Sequence, residues 1–511
     1  MKRLSVVVVG AGFGGLSAAA YLSRAGADVT VVERAAHVGG KAGHLEKDGF
    51  VFDAGPTLLT MPEVLEDAFA AAGSSLSAHT TLTRLDPVAR YLFANGRELL
   101  VSTDHERTKA SIRAFAPRDA EAWDAFFAEC KEVWEVAGEP YLEAPFDGLL
   151  GFTQRALRRG SKVLRLGMSL GTLDQFARRH FESAEMRSFV GRFATYAGGA
   201  PARSTAAFAM IPWLEIEKGA FYPRGGMHAL AASLAQALAR AGVRFRLGTD
   251  VREVLLDARG KTVGVATSDR AAPRLAADVV VLNMDPLTAA RHLMPRARGA
   301  AGFAAKLETR ERSLSGLAWS FGVEGHVPVE AHHTVLFPED YAAEFEAIFE
   351  RGAMPERPAV YVSVPSLGDR SRAPAGCQTL FTLVNAPATA AYDAAQVREY
   401  VLGELERRWC PDLRGRIRAE AVITPADIAA TGSAHGSIYG AAPHGATSTF
   451  ERPKYRADFA EGVYFVGGAT HPGGGVPMVT KGGRFVAEAV LEDAARAEKP
   501  RAASGLRGWF R

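Results

Sequence analysis

The chain has 511 residues, 48% hydrophobic and 23% charged, so it is long enough for two or three packed domains and is neither disordered nor fibrous. A formal net charge of +3 is too mild for a nucleic-acid binder, and no basic-aromatic RNA motif occurs, so nucleic acid is not expected as a partner. The 3 cysteines, Cys130, Cys377 and Cys410, match no metal or redox spacing, which points to a reducing compartment and to no bound metal.

The first element is a strand from Leu4 to Val9, β-branched from Val6 onward as in a strand buried on both faces. It runs into Gly10-Ala11-Gly12-Phe13-Gly14-Gly15, a helix over Leu16 to Arg24 and a second strand, Val29 to Val32, that ends on Glu33. This is a dinucleotide-binding βαβ unit. Gly10 makes the tight turn, Gly12 lets the backbone approach a pyrophosphate, Gly15 lets helix and strand touch, and the helix N-terminus at Phe13 and Gly14 faces the phosphates. Glu33 stands about twenty residues past the glycines, where a carboxylate accepts both ribose hydroxyl protons. The glycines interrupt the apolar start, so it is not a signal peptide, and no uncharged apolar run of roughly eighteen residues occurs that would span a bilayer.

A second Gly-Gly-basic turn, Val38-Gly39-Gly40-Lys41-Ala42-Gly43, follows and continues to Asp53-Ala54-Gly55-Pro56-Thr57. An NAD domain has no use for it. It resembles the extended FAD signature of the amine oxidase and phytoene desaturase superfamily, in which this turn also lies along the pyrophosphate. By that resemblance Arg34, Gly40, Lys41, Gly55, Pro56 and Thr57 join the cofactor site. Lys41 stands where arginine is usual and offers one phosphate contact in place of a bidentate pair.

Pro62 to Ala72 reads as an amphipathic helix, and Tyr91 to Val101 as a hairpin turning at Ala94-Asn95-Gly96. Helical patterns cover His105 to Ala137 and Leu149 to Ala200, interrupted at Pro140 and Pro145. In the second, Phe152, Leu157, Val163, Leu164, Leu166, Met168 and Leu170 alternate with Arg155, Arg158, Arg159, Lys162 and Arg165. Such a stretch suits a membrane interface, and it equally suits a core helix with a solvated basic face.

The Phe221-Tyr222-Pro223-Arg224-Gly225-Gly226-Met227 turn is read as functional, although Pro and Gly-Gly are turn chemistry that needs no ligand. A helix from His228 to Arg240 and strands at Val243 to Leu247, Val251 to Leu256 and Thr262 to Thr267 return the chain to the nucleotide domain. Leu314 to Val323, His333 to Phe337 and Ala359 to Val364 read as strands of a second sheet, with a helix over Ala391 to Arg408 beside it. At the end, Gly462 to Met478 is a strand, a run of glycines and the start of a helix reaching about Leu491. That helix dipole suits negative charge at the N1/C2 edge of a flavin ring, and Gly468, Ala469, Val476, Pro477 and Met478 are placed there.

Together, Gly10 to Gly15, Gly39 to Gly43, Asp53 to Thr57, the Phe-Tyr-Pro-Arg-Gly-Gly turn, His332-His333-Thr334-Val335 and Thr470-His471-Pro472-Gly473 through Pro477 resemble the bacterial-type carotenoid desaturases, phytoene desaturase and its relatives. The resemblance extends over nearly the whole chain. It implies an α/β fold: a Rossmann-like FAD-binding domain (1–75, 220–290 and 455–495) interleaved with an α+β substrate domain (76–104 and 291–454). A helical, membrane-facing cap (105–219) and a basic tail (496–511) complete it. It also implies FAD held without a covalent bond, with the Val251 backbone against the adenine. The expected partners are a carotenoid, the cytoplasmic surface of a membrane in peripheral, monotopic attachment, and oxygen or a quinone as electron acceptor. His435-Gly436-Ser437-Ile438-Tyr439-Gly440, with Pro443-His444-Gly445, looks more like the hydroxycarotenoid 3,4-desaturase branch than the phytoene branch.

A saturated CH-CH pair beside a polyene can lose hydride because the allylic cation left behind is delocalised, and the neighbouring carbon then loses a proton. The protein must supply an apolar tunnel that holds the carbon about 3 to 3.5 Å from the flavin and excludes water. No strong base is required, so no catalytic side chain is assigned. His435, His444 and His471 are the weak candidates, and such histidines are more often structural. In the hydroxylated-substrate reading, His435, Tyr439 or His444 would instead bind the terminal hydroxyl. The function expected is FAD-dependent 3,4-desaturation of a 1-hydroxycarotenoid. The alternatives are a phytoene desaturase, a carotenoid isomerase or ketolase, an amine oxidase, and a non-enzymatic prenyl-chain escort protein.

Overall fold

A computed structural model describes residues 3–145, 148–158, 160, 171–388, 391–445 and 447–498. Strand β1 (Ser5–Val9) is the centre of a five-stranded parallel sheet with the order Val463–Phe465, Val279–Leu282, β1, β2 (Asp28–Val32) and Arg244–Arg246. Val6 to Val9 and Val29 to Val32 are buried, which is why both segments read as unbroken apolar runs rather than as alternation. Helix α1 (Phe13–Arg24) crosses the C-terminal helix Val476–Glu498 closely. A side-chain carbon at Gly483 would come within 2.5 Å of the Gly14 carbonyl and 2.6 Å of Ser17 Cβ. An antiparallel sheet of Val251–Leu256, Thr262–Thr267 and Arg274–Ala276 lies next in the chain.

The second large sheet has seven strands in the order Ile417–Ile423, Ser315–Glu324, Cys377–Ala386, Val360–Ser363, His333–Leu336, Ala89–Leu92 and Glu98–Val101. Its two-residue period divides the side chains between two environments. Leu317, Trp319, Phe321, Val323, Val360, Val362, Leu380 and Val384 pack with Val397, Val401, Leu402 and Leu405 of helix Ala394–Arg408. The intervening Gly316, Ala318, Tyr361, Phe381 and Leu383 face a large cavity instead. The 94–96 turn forms as expected, with the Gly96 N–H donating to the Phe93 carbonyl at 3.0 Å and φ at +82°.

Four local expectations need correction. Cys377–Ala386 and Ile417–Ile423 are strands that sequence reading leaves out, because the first carries Gln378, Thr379, Thr382 and Asn385 and the second alternates alanine with Arg418 and Glu420. Pro140 does not interrupt its helix: the π turn Trp134–Gly138 re-spaces the backbone, and Pro140 then occupies the first turn of Glu139–Glu143, where its missing N–H is harmless. The 149–200 stretch is not continuous. Leu149–Leu157, Leu173–His180 and Ala184–Gly191 are separate helices, the last two started by Thr172 and Ser183, whose hydroxyls accept backbone N–H groups. The helix expected from His228 begins at Gly226. Arg159, Lys162, Val163, Leu164, Arg165, Leu166, Met168 and Leu170, and the tail beyond 498, lie outside the described residues. Among the described residues no helix is long and apolar enough to cross a membrane.

Candidate active site

One cavity of about 1390 Å³ runs between the two large sheets and the helices of 105–218. Drug-sized ligand pockets enclose roughly 300 to 1000 Å³, so this one has room for a dinucleotide and a second long ligand. Gly10, Gly12, Phe13, Gly14, Glu33, Arg34, Gly40, Lys41, Gly55, Pro56, Thr57, Val251, Gly468, Ala469, Val476, Pro477 and Met478 all line it. Gly15 does not; it stands behind the wall, where a side-chain carbon would come within 2.2 Å of the Gly10 carbonyl.

The two glycine turns form a single surface, because the Gly39 N–H donates to the Ala11 carbonyl at 2.9 Å and Gly12 bridges Gly39. No side chain caps the N-terminus of α1 at Gly12, so its free N–H groups and the positive end of the helix dipole are available to an anion. The closing loop has the same character. Gly467, Gly473 and Gly475 have φ of +129°, +125° and +100°, and a side-chain carbon on Gly474 would lie 2.0 Å from the Tyr439 ring. Arg452 fastens this loop by donating Nη1 to the carbonyls of Gly468 and Tyr439. A glycine-walled cradle with a helix N-terminus at each end, joined to Val251, fits FAD.

Two side chains of the cradle have partners within the protein. Glu33 is held by the protein before it meets a ribose: Oε2 accepts the Ala11 N–H at 2.7 Å and Oε1 the Ala35 N–H at 2.9 Å, leaving one lone pair on each oxygen. Lys41 lines the cavity beside the glycine turns. Its Nζ donates to the Ile438 carbonyl at 2.7 Å, and burial pushes its pKa down to about 8 against the opposing Asp285 carboxylate.

The three histidines offered as bases are not in the cavity wall. His435 is on the outside, 2.8 Å from Glu308 Oε1, with its backbone at φ +56°. His444 has both nitrogens engaged, Nε2 accepting the Ala200 N–H at 2.9 Å and Nδ1 donating to Glu311 Oε2 at 2.7 Å. His471 is packed edge-on against Tyr141 with ring centroids 4.3 Å apart, and burial, aided by Arg452, lowers its pKa to about 3. All three sit near the glycine loops in sequence, yet their side chains point away from the cavity. The Phe-Tyr-Pro-Arg-Gly-Gly turn is structural too: Gly225 N–H donates to Asp369 at 2.7 Å, Met227 N–H to Asp53 at 3.3 Å, and Arg372 donates to the Gly225 carbonyl at 2.8 Å.

Sequence reasoning placed Thr57 at the cofactor and His333 in a motif, but missed Tyr361, Arg192, Tyr196 and Glu215, which form a polar group with them in the cavity. Thr57 Oγ1 is 2.5 Å from the Tyr361 hydroxyl, which is 2.7 Å from His333 Nδ1. Arg192 donates Nη1 to the Tyr196 hydroxyl at 3.0 Å and stands 5.2, 5.5 and 5.9 Å from the ring centroids of Tyr196, Tyr361 and Tyr91. Glu215 lies next to Tyr196 and Arg192; burial raises its pKa, and those two neighbours oppose the rise. His333 is held neutral by burial, with His332 and Arg192 adding to the effect. The available signal was a charge set among large apolar residues, in Trp213-Leu214-Glu215-Ile216 and in Phe189-Val190-Gly191-Arg192-Phe193.

Residues 13–491 match the family model for flavin containing amine oxidoreductases. The chain is 32% identical to a 4,4'-diapolycopene oxygenase of Methylomonas sp, the alignment covering 96% of this chain and 98% of that one. It is 35% identical to a hydroxyneurosporene desaturase of Cereibacter sphaeroides, over 96% and 98% of the two chains. It is also 35% identical to a phytoene dehydrogenase of Streptomyces griseus, over 98% and 97%.

Proposed function

The chain belongs to the flavin containing amine oxidoreductases, in their carotenoid desaturase branch, and from that premise we propose that it introduces the 3,4 double bond into a 1-hydroxycarotenoid. Bound FAD supplies the two-electron acceptor for the hydrogen removed from the CH-CH pair. The chain's own residues bind and orient. Val335, Phe381 and Leu383 from the sheet, with Phe208 and Ile211 from the helices, make an apolar wall that keeps water from a delocalised cation. Gly316 and Ala318 keep that wall thin.

One observation carries the choice of a hydroxylated substrate: the Thr57, Tyr361, His333, Arg192, Tyr196 and Glu215 group in a wall that is mainly apolar. A substrate that is hydrocarbon throughout would leave the two partnerless atoms of this group, Glu215 Oε1 and His333 Nε2, desolvated without return, at about 1 to 3 kcal/mol each. Relatives with oxygenase, hydroxycarotenoid and phytoene activities are 32%, 35% and 35% identical, so identity does not rank these readings. Purified FAD-loaded protein is expected to turn over a 1-hydroxycarotenoid at least about 100-fold better in kcat/KM than its non-hydroxylated parent or phytoene, a lower bound for a site that hydrogen-bonds a substrate hydroxyl. Equal turnover of phytoene would replace this reading with phytoene desaturation.

A lipid-soluble substrate must enter from lipid, and attachment to the cytoplasmic face of a membrane is part of the proposal. Helix Leu149–Leu157 supports it. Phe152 on this helix lines the cavity, while Leu150 and Leu157 are 81% and 59% exposed. They are two turns apart on one face, which suits an apolar anchor on a helix that also lines the cavity. Changing both to glutamate is expected to weaken liposome flotation by at least about tenfold, since each buried leucine contributes roughly 1.5 to 3 kcal/mol. Unchanged flotation would sink this docking face.

A further inference from the structure

We propose that Glu215 and His333 form an oxygen-binding subsite that receives the hydroxyl of the substrate's end group and so sets which carbon-carbon bond is presented to the flavin. This rests on the 1-hydroxycarotenoid reading. Two atoms carry it. Glu215 Oε1 and His333 Nε2 are buried and have no hydrogen-bond partner among the described residues, and both residues line the cavity. The two residues are only 3% and 4% exposed. A carboxylate oxygen and an imidazole nitrogen buried without partners are costly, and these two, unlike the partnerless nitrogens of His332, belong to residues that line a cavity able to hold a ligand. Glu344, equally buried, shows what satisfaction looks like: it accepts the Ala359 N–H and the Asn385 side-chain amide, both at 2.7 Å.

A tertiary alcohol is donor and acceptor at once. Its O–H can donate to Glu215 Oε1, and its oxygen can accept from His333 Nε2–H when Tyr361 donates to Nδ1. Arg192 acts electrostatically on both residues: it opposes the burial-driven rise at Glu215 and adds to the burial-driven lowering at His333. Position along the cavity agrees with the chemistry. C1 is two bonds from C3, so a C1 hydroxyl must be held beside the cofactor cradle and not at the far end of the tunnel. His333 is two hydrogen bonds from Thr57, through Tyr361, and Thr57 stands in the Gly55-Pro56-Thr57 loop of that cradle.

The test measures FAD content and kcat/KM for a 1-hydroxycarotenoid and for its non-hydroxylated parent, in the unmodified enzyme, Glu215→Gln and His333→Leu. Each variant is expected to hold FAD and to lose roughly 10- to 100-fold of the preference for the hydroxyl over the hydrocarbon. Products with the double bond at other positions should appear as the end group loses its anchor. An unmodified enzyme without preference would overturn the substrate reading. A preference kept by both FAD-loaded variants would overturn the subsite alone. Loss of FAD from both would assign the two residues to the scaffold and overturn the subsite as well.

Discussion

Gly12→Val is expected to give folded, colourless protein, with FAD content reduced at least about tenfold. The backbone at Gly12 has φ −76°, which any residue adopts. A side-chain carbon there would meet only Asn283 Nδ2 at 3.0 Å and the Gly39 carbonyl at 3.8 Å, so the fold can accommodate it with a small shift. The valine methyls would project into the cavity, where the pyrophosphate needs close approach to the backbone. Gly15→Val is expected to behave in the opposite way. Its side-chain carbon would be 2.2 Å from the Gly10 carbonyl, so β1 and α1 must separate and the protein is expected to lose several kcal/mol of stability. Flavin absorbance per mole of protein and thermal melting by circular dichroism separate the two outcomes. A full flavin complement in folded Gly12→Val would refute the assignment of this turn to the cofactor.

Arg372→Met should cost about 3 to 5 kcal/mol, the usual result of stranding a buried charge. Asp53 is 1% exposed and accepts from Arg372 Nη2 at 2.9 Å, from the Tyr222 hydroxyl at 2.5 Å and from the Met227 N–H at 3.3 Å. Burial raises its pKa, and Arg372 and Tyr222 counter that rise. Removing the guanidinium leaves the carboxylate with two weaker partners. Asp53→Asn added to Arg372→Met should recover part of the loss, because the stranded charge rather than the missing contact dominates the cost. Urea unfolding of the two single variants and the double variant measures this. A loss below about 1 kcal/mol for Arg372→Met would mean that the network is solvated in solution.

How far the sequence could be read follows from what each signal reports. The βαβ unit was legible because buried β-branched runs, the glycine turn and Glu33 occur in a fixed order dictated by backbone geometry. The same holds for Ser315–Glu324, whose bulky residues alternate with small ones. Side-chain direction was not legible. His435, His444 and His471 lie within a few residues of cavity-lining glycines, yet local turns aim them at Glu308, Glu311 and Tyr141. Lys41 likewise stands in the expected turn but reaches Ile438, a partner 397 residues away. Arg192 and Glu215 escaped because a charge within an apolar helix announces only that it needs a partner, not that a cavity supplies one.

The seven-stranded sheet keeps its structural and its chemical duties on opposite faces. Leu317, Trp319 and Phe321 answer to the helix behind them, while Gly316 and Ala318 between them face the cavity. Mutational drift can therefore rework bore and length of the tunnel one alternate position at a time, with the hydrophobic layer behind left untouched. A side-chain carbon on Gly316 would approach Leu383 and Ile438 at 3.2 and 3.4 Å, so even one methyl group there narrows the passage. Related chains acting on polyenes of different length and oxidation state can thus diverge in selectivity with little change in stability.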